Sequence, residues 1–173
     1  TAKGIFNAIN TTYKFLTNKE LKESTIAISG VGKVGSKLSK LLFNKKANLI
    51  ISNIGKDAID KLRQEKILFN ETDIYSIFEQ KCDVISPCAL GGIINSETKE
   101  KLKCIAIVGA ANNQLDKSET ASWLKKNNIF YAPDYLVNSG GVIAISCEIN
   151  NSENTLNNQL NQISDKVLSL LEE

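Results

Sequence analysis

The 173-residue chain contains no histidine and no methionine. Without histidine it can build neither an imidazole metal site nor an imidazole acid–base pair. Without methionine it holds no translation start, so it is expected to be a fragment or an N-terminally trimmed product. No apolar run approaches the roughly 18 residues of a membrane-spanning helix, and no stretch near the start is flanked like a secretion signal. A membrane partner is therefore not expected. Clustered basic charge is missing too. The 21 Lys and Arg are dispersed and offset by 19 Asp and Glu, for a formal charge of +2. That is a solvated surface and not the stripe of a nucleic-acid binder, so no nucleic acid is expected. The four cysteines (Cys82, Cys88, Cys104, Cys147) form no C-x-x-C pair, and three sit within apolar runs. They read as small buried hydrophobes of a reducing, cytoplasmic protein without disulfides or bound metal.

What is present is a composition of 42% hydrophobic and 23% charged residues, in a length that suits one domain with its own core. Ile5, Ile9, Tyr13 and Leu16 fall at helical spacing and predict a leading helix over 2–17. Strand and helix then alternate. Strands are expected at 25–29, 48–52, 67–69, 82–86, 104–109 and 129–132. Helices are expected at 33–45, 56–65, 73–79, 96–102 and 118–127, the last with Ser118 as N-cap, and at 137–149 and 153–172. The strands are continuous apolar runs, as in a parallel sheet covered on both faces. The fold class is thus α/β: a doubly wound, mostly parallel sheet of the Rossmann type with extra terminal helices. One dinucleotide-binding domain spans 1–173, with a leading helix to residue 20, a core over 24–135 and C-terminal helices over 137–173. Leu156, Leu160, Ile163, Val167 and Leu170 of the last helix are read as packing on its own sheet, since two heptads are too few for a coiled coil.

In such a sheet ligands bind where strands end. The first strand runs into Gly30-Val31-Gly32-Lys33-Val34-Gly35, which has G-x-G-x-x-G spacing and opens a predicted helix. Gly30 suits the tight turn, Gly32 the approach of a pyrophosphate, and Gly35 close helix–strand packing. The pyrophosphate would rest on the helix N-terminus, where free N–H groups and the dipole favour an anion. An NAD site has an Asp or Glu roughly 20 residues on to bond the ribose 2′-hydroxyl. Asn53 holds that place. Asparagine bonds a ribose without repelling a 2′-phosphate, and Lys33 and Lys56 lie nearby, so NAD is expected with NADP left open. Three further stretches follow strands: Ser86–Gly92, Gly109–Gln114 and Tyr131–Val142. Each offers small residues for close approach and, in the latter two, amide side chains suited to a carboxamide.

PCALGGIIN, GAANNQL and YAPDYLVNSGGV, with TAKG at the start and the GVGKVG loop, closely resemble the glutamate/leucine/phenylalanine/valine dehydrogenases. The nearest likeness is to the leucine dehydrogenase branch. The match keeps order and spacing over nearly the whole chain, and it implies the family's C-terminal NAD-binding domain. The implied reaction is oxidative deamination of an L-amino acid to a 2-oxo acid and ammonia, with hydride passed to nicotinamide.

By that resemblance Thr1 would contact the nicotinamide carboxamide, and Gly30 through Gly35 would hold the pyrophosphate. Asn53 would stand at the adenosine ribose, with Cys88 and Ala89 lining the adenine-side ribose. Asn113 and Asn138 would lie near the nicotinamide. Val142 and Ile145 would help line a side-chain pocket, and both being apolar suits leucine or valine better than glutamate. The family's catalytic lysine and aspartate belong to an N-terminal domain, and no matching lysine motif occurs here; Pro133-Asp134 falls in the cofactor domain. The family chain also continues beyond the helix that ends near Leu171. No catalytic residue is therefore expected in this chain. It is expected to share an amino-acid substrate with a missing catalytic domain, to be inactive alone, and to belong to a homo-oligomer when full length. The alternative is a non-catalytic NAD(P)-binding or assembly module derived from the same family.

Overall fold

In the computed structural model, which describes residues 1–150 and 153–172, six strands join in one all-parallel sheet. They are β1 (Thr25–Ser29), β2 (Asn48–Ser52), β3 (Asn70–Glu71), β4 (Val84–Pro87), β5 (Ala106–Ile107) and β6 (Phe130–Tyr131), in the order β3-β2-β1-β4-β5-β6. The helices are α1 (Ala2–Thr17), α2 (Lys33–Asn44), α3 (Lys56–Gln64), α4 (Ser118–Lys126), α5 (Asp134–Val137), α6 (Gly140–Ile149) and α7 (Leu156–Glu172).

β1 is central. It pairs with β2 from Thr25↔Asn48 to Ser29↔Ser52, and with β4 from Ile26↔Val84 to Ser29↔Pro87. Successive strand residues face opposite ways, and both faces are apolar. Ile26, Ile28, Leu49, Ile51 and Val84 enter a core with side chains of α1, α2, α3 and α7. Ala27, Ile50, Ile85 and Ile107 enter a second core with Phe78 and the α4 residue Leu124. The doubly wound parallel sheet expected from the sequence is the fold observed, and the strand order reverses between β1 and β4, where ligand crevices form.

α7 lays Leu160, Ile163 and Val167, all buried, against α1. Gly4 makes this approach close, since a Cβ there would stand 2.8 Å from Ile163 Cδ1. The apolar stripe of the last helix is thus packed within its own chain, as expected. Residues 151–152 and 173 of the expected C-terminal segment lie outside the described residues.

Several expected elements differ. Residues 67–69 form no strand. Lys66 ends α3 in the left-handed region (φ 63 at Lys46 and 57 at Asn128 mark the same device after α2 and α4, against 60 at Lys66). Lys66 N–H donates to Arg63 O and Ile67 N–H to Leu62 O, a Schellman closure that buries Ile67 beside the helix it follows. Pairing then starts three residues later, at Asn70. The helices expected over 73–79 and 96–102 shrink to 3₁₀ turns at Ser76–Glu79 and Lys99–Lys101. In the first, the Asp73 carboxylate accepts the Tyr75 and Ser76 N–H groups and fixes a tight turn. β4 is shifted to Val84–Pro87, and β5 and β6 are only two residues each. Ser118 is the first residue of α4 and not its cap; Lys117 precedes the helix. The helix expected over 137–149 divides at Asn138–Ser139 into α5 and α6.

Two stability measurements check this account. Ile163→Ala should cost about 2–4 kcal/mol in chemical denaturation, because it opens a cavity at the α1–α7 contact; a loss below about 0.5 kcal/mol contradicts that packing. Lys66→Gly should stabilise by about 1 kcal/mol by removing a left-handed non-glycine residue.

Candidate dinucleotide site

β1 delivers the chain into the glycine loop at the point of strand-order reversal. Gly30 takes φ +96, and its N–H donates to Ser52 O on β2 at 2.8 Å. A Cβ on Gly30 would lie 2.4 Å from the Ala89 Cβ, and one on Gly35 would lie 2.0 Å from Gly30 O and 3.3 Å from the Cys88 Cβ. These two glycines let the first turn of α2 press against the turn leaving β1 and against the loop after β4. Gly32 is different: nothing lies within 4 Å of where its Cβ would be. It stands at the N-cap of α2 with no side chain capping the helix. The leading N–H groups of a helix have no carbonyl partner inside it. An uncapped helix end behind open space therefore fits a pyrophosphate. Lys33 and Val34 occupy the first turn itself.

Asn53 follows β2 directly and braces the loop. Its Oδ1 accepts the Val31 N–H at 3.0 Å, and its Nδ2 donates to Gly55 O at 2.8 Å. Ser36 Oγ donates to Val31 O at 2.5 Å, so both backbone polar groups of Val31 are tied.

Across the crevice, the loops after β4, β5 and β6 are bonded into one wall. Cys88 N–H donates to Ser29 O at 2.8 Å, anchoring the Cys88–Ala89 segment beside β1. Gly92 N–H donates to Asn113 O at 2.7 Å, and a Cβ on Gly91 would strike Asn112 O at 2.5 Å. Asn113 adopts φ 51, which asparagine tolerates; its N–H donates to the Asp134 carboxylate. Asn138 Nδ2 donates to Asn112 Oδ1 at 2.6 Å. The expected Asn113 and Asn138 are thus part of one network, and its other members, Asn112 and Asp134, were not singled out in the sequence. Their only signal was position beside the expected residues within AANN and APDY.

Thr1 forms a third group with the start of α6, where a Cβ on Gly140 would lie 3.3 Å from Thr1 Cα and one on Gly141 2.8 Å from Thr1 Oγ1. Val142 and Ile145 are on the same helix and are 72% and 58% exposed, joined by Ile149 at 74%. An apolar face this open is suited to covering by another surface.

Two ionisable side chains at this edge are held protonated. Burial pushes the Cys88 thiol up, outweighing the hydrogen bond from Ser86, so it stays protonated at neutral pH. Burial and the neighbouring Asp134 push the Tyr131 phenol up to about 12. Among the described residues no group of three or more His, Cys, Asp or Glu could hold a metal ion, and no helix is long and apolar enough to cross a membrane.

Comparison with known proteins agrees with this geometry. The family model for Glutamate/Leucine/Phenylalanine/Valine dehydrogenase matches residues 45–172. A phenylalanine dehydrogenase of Thermoactinomyces intermedius is 40% identical over 153 residues, 86% of this chain and 41% of that protein. A leucine dehydrogenase of the same organism is 37% identical over 177 residues, 99% of this chain and 47% of that protein. The crystal structure of an L-tryptophan dehydrogenase from Nostoc punctiforme superposes with a TM-score of 0.94 at 30% identity, covering 99% of this chain and 53% of the other. The chain thus spans about half the length of these relatives. A glycine-cradled helix end at the strand-order reversal, with a family match over most of the sheet, means that the chain belongs to the glutamate/leucine/phenylalanine/valine dehydrogenase family.

Proposed function

We propose that this chain is the nicotinamide-dinucleotide-binding domain of an L-amino-acid dehydrogenase that deaminates a branched-chain substrate such as leucine or valine. The observation that carries the reading is one crevice edge with two chemically distinct ends. At one end Gly32 opens onto the uncapped start of α2. At the other, Asn112, Asn113, Asp134 and Asn138 form a bonded amide wall. A phosphate site alone serves any nucleotide; the amide wall adds the donors and acceptors that a carboxamide needs.

In this reading Gly30, Val31, Gly32, Lys33, Val34 and Gly35 hold the pyrophosphate and Asn53 borders the adenosine ribose. Cys88 and Ala89 line the same end, and Asn113, Asn138 and Thr1 orient the nicotinamide. Bound nicotinamide supplies the hydride chemistry, and the protein positions it. Val142 and Ile145 form one wall of an aliphatic side-chain pocket, for which their exposure on α6 leaves room. The names of the relatives, leucine, phenylalanine and tryptophan dehydrogenases, point to uncharged substrates. This reading assigns proton transfer to a lysine and an aspartate of another domain, as the resemblance implies, and to none of these 173 residues. The 173-residue chain is accordingly inactive alone. The full-length protein is a cytoplasmic homo-oligomer whose catalytic domain closes over the crevice.

NADH fluorescence tests the reading. The 173-residue chain should bind NADH saturably and show no turnover with leucine or valine. Gly32→Ala should weaken binding at least ~10-fold, or about 1.4 kcal/mol, while leaving the thermal midpoint within about 2 °C, since the added methyl meets only open space. An NADH titration without saturation overturns the site, and turnover by this chain overturns the division of labour.

A further inference from the structure

The ribose end of the crevice carries a departure with a consequence for cofactor choice. On the reading of this edge as a dinucleotide site, we propose that the end of β2 accepts a 2′-phosphate, so that the chain binds NADP(H) at least as tightly as NAD(H).

A site that selects NAD places a carboxylate at the end of the second strand, where it bonds the 2′-hydroxyl and repels a 2′-phosphate. Here that position is Asn53, and its amide is engaged inward, to Val31 N–H at 3.0 Å and to Gly55 O at 2.8 Å. The amide orientation suits the protein and not a carboxylate: an Asp at this place would set its second oxygen against the Gly55 carbonyl. Asn53 thus keeps the bracing of the glycine loop and discards the charge that would exclude a phosphate.

The surrounding charge is mixed, and basic toward α2. A cleft of about 350 Å³ runs from Gly32 and Lys33 between α2 and α3, lined also by Lys37, Lys40 and Lys61. Its one acid is Glu65, which Lys40 neutralises at 2.5 Å. Lys56 opens α3 three residues beyond Asn53. The pocket that Asn53 and Lys56 themselves line also holds Glu71 and Asp73. Glu71 is neutralised by its bond to Arg63, whereas Asp73, its carboxyl held down at about 2 by N–H groups from Tyr75 and Ser76, stays ionised, one charge against Lys33 and Lys56. Asp57, in the first turn of α3, faces the positive end of that helix dipole. The chain's one arginine, Arg63, is paired with Asp60 and Glu71. A 2′-phosphate at this place would be held by lysine ammonium groups, Lys33 from the loop and Lys56 from α3.

The test is a fluorescence titration of the 173-residue chain with NADH and with NADPH at low salt, repeated by calorimetry with 5′-AMP and adenosine 2′,5′-bisphosphate. NADPH should bind as tightly as NADH or more tightly, and the bisphosphate more tightly than 5′-AMP. Asn53→Asp should weaken NADPH at least tenfold more than it weakens NADH. Should that variant fold poorly, Lys56→Ala, on an exposed side chain, should weaken NADPH about three- to tenfold with little effect on NADH. Saturable NADH binding with NADPH tenfold or more weaker overturns the proposal and leaves the dinucleotide site standing. Binding of neither overturns both.

Discussion

The contact of Gly35 with the Gly30 carbonyl sets the geometry on which the rest of the crevice depends. A side chain at Gly35 would have to occupy space 2.0 Å from that oxygen. Only with both residues as glycine can α2 start so close to the end of β1. That start faces the groove at the reversal of strand order and leaves its amides uncapped there. The same packing brings Cys88 and Ala89 alongside, because their loop is hung from Ser29 by the Cys88 N–H. One steric allowance thus fixes the helix end, the turn and the neighbouring loop together.

Asn53 and Asp134 carry that order outward. Asn53 ties the glycine loop to the β2–α3 turn, and Asp134 ties Asn113 to the start of α5. Each is a polar side chain spent on backbone groups of a loop that has no ladder partner of its own. The loops at this edge are therefore held by specific bonds as well as by buried residues such as Val31 and Ala111, while their remaining residues stay open to a ligand. The apolar residues Val142, Ile145 and Ile149 on α6 remain open beside them.

How much of this was legible in the sequence follows from burial. β1 and β2 are central strands with apolar side chains on both faces, and their limits fall where the sequence predicts them. β3, β5 and β6 have two residues each, too few to impose a pattern, and their neighbours Ile67, Cys104 and Ile129 are buried without being in strands. The ends of α2, α3 and α4 fall within one residue of those expected, although the left-handed residue after each (Lys46, Lys66, Asn128) is not glycine. The glycine loop was legible because Gly30 and Gly35 are required by local geometry and Gly32 completes the spacing at an open helix end. The roles of Asn112 and Asp134 were not, because they arise from contacts between loops distant in sequence, such as Asn138 with Asn112.

The central claim is that the glycine loop and the amide wall are two ends of one ligand site. Amide chemical shifts of the isotope-labelled 173-residue chain, followed during titration with NADH, address it most directly. The account predicts that Lys33, Val34 and Gly35 shift together with Asn113 and Asn138, along one binding curve. Shifts confined to the glycine loop, or centred on the separate cleft lined by Phe43, Leu49, Leu68 and Phe69, would contradict it.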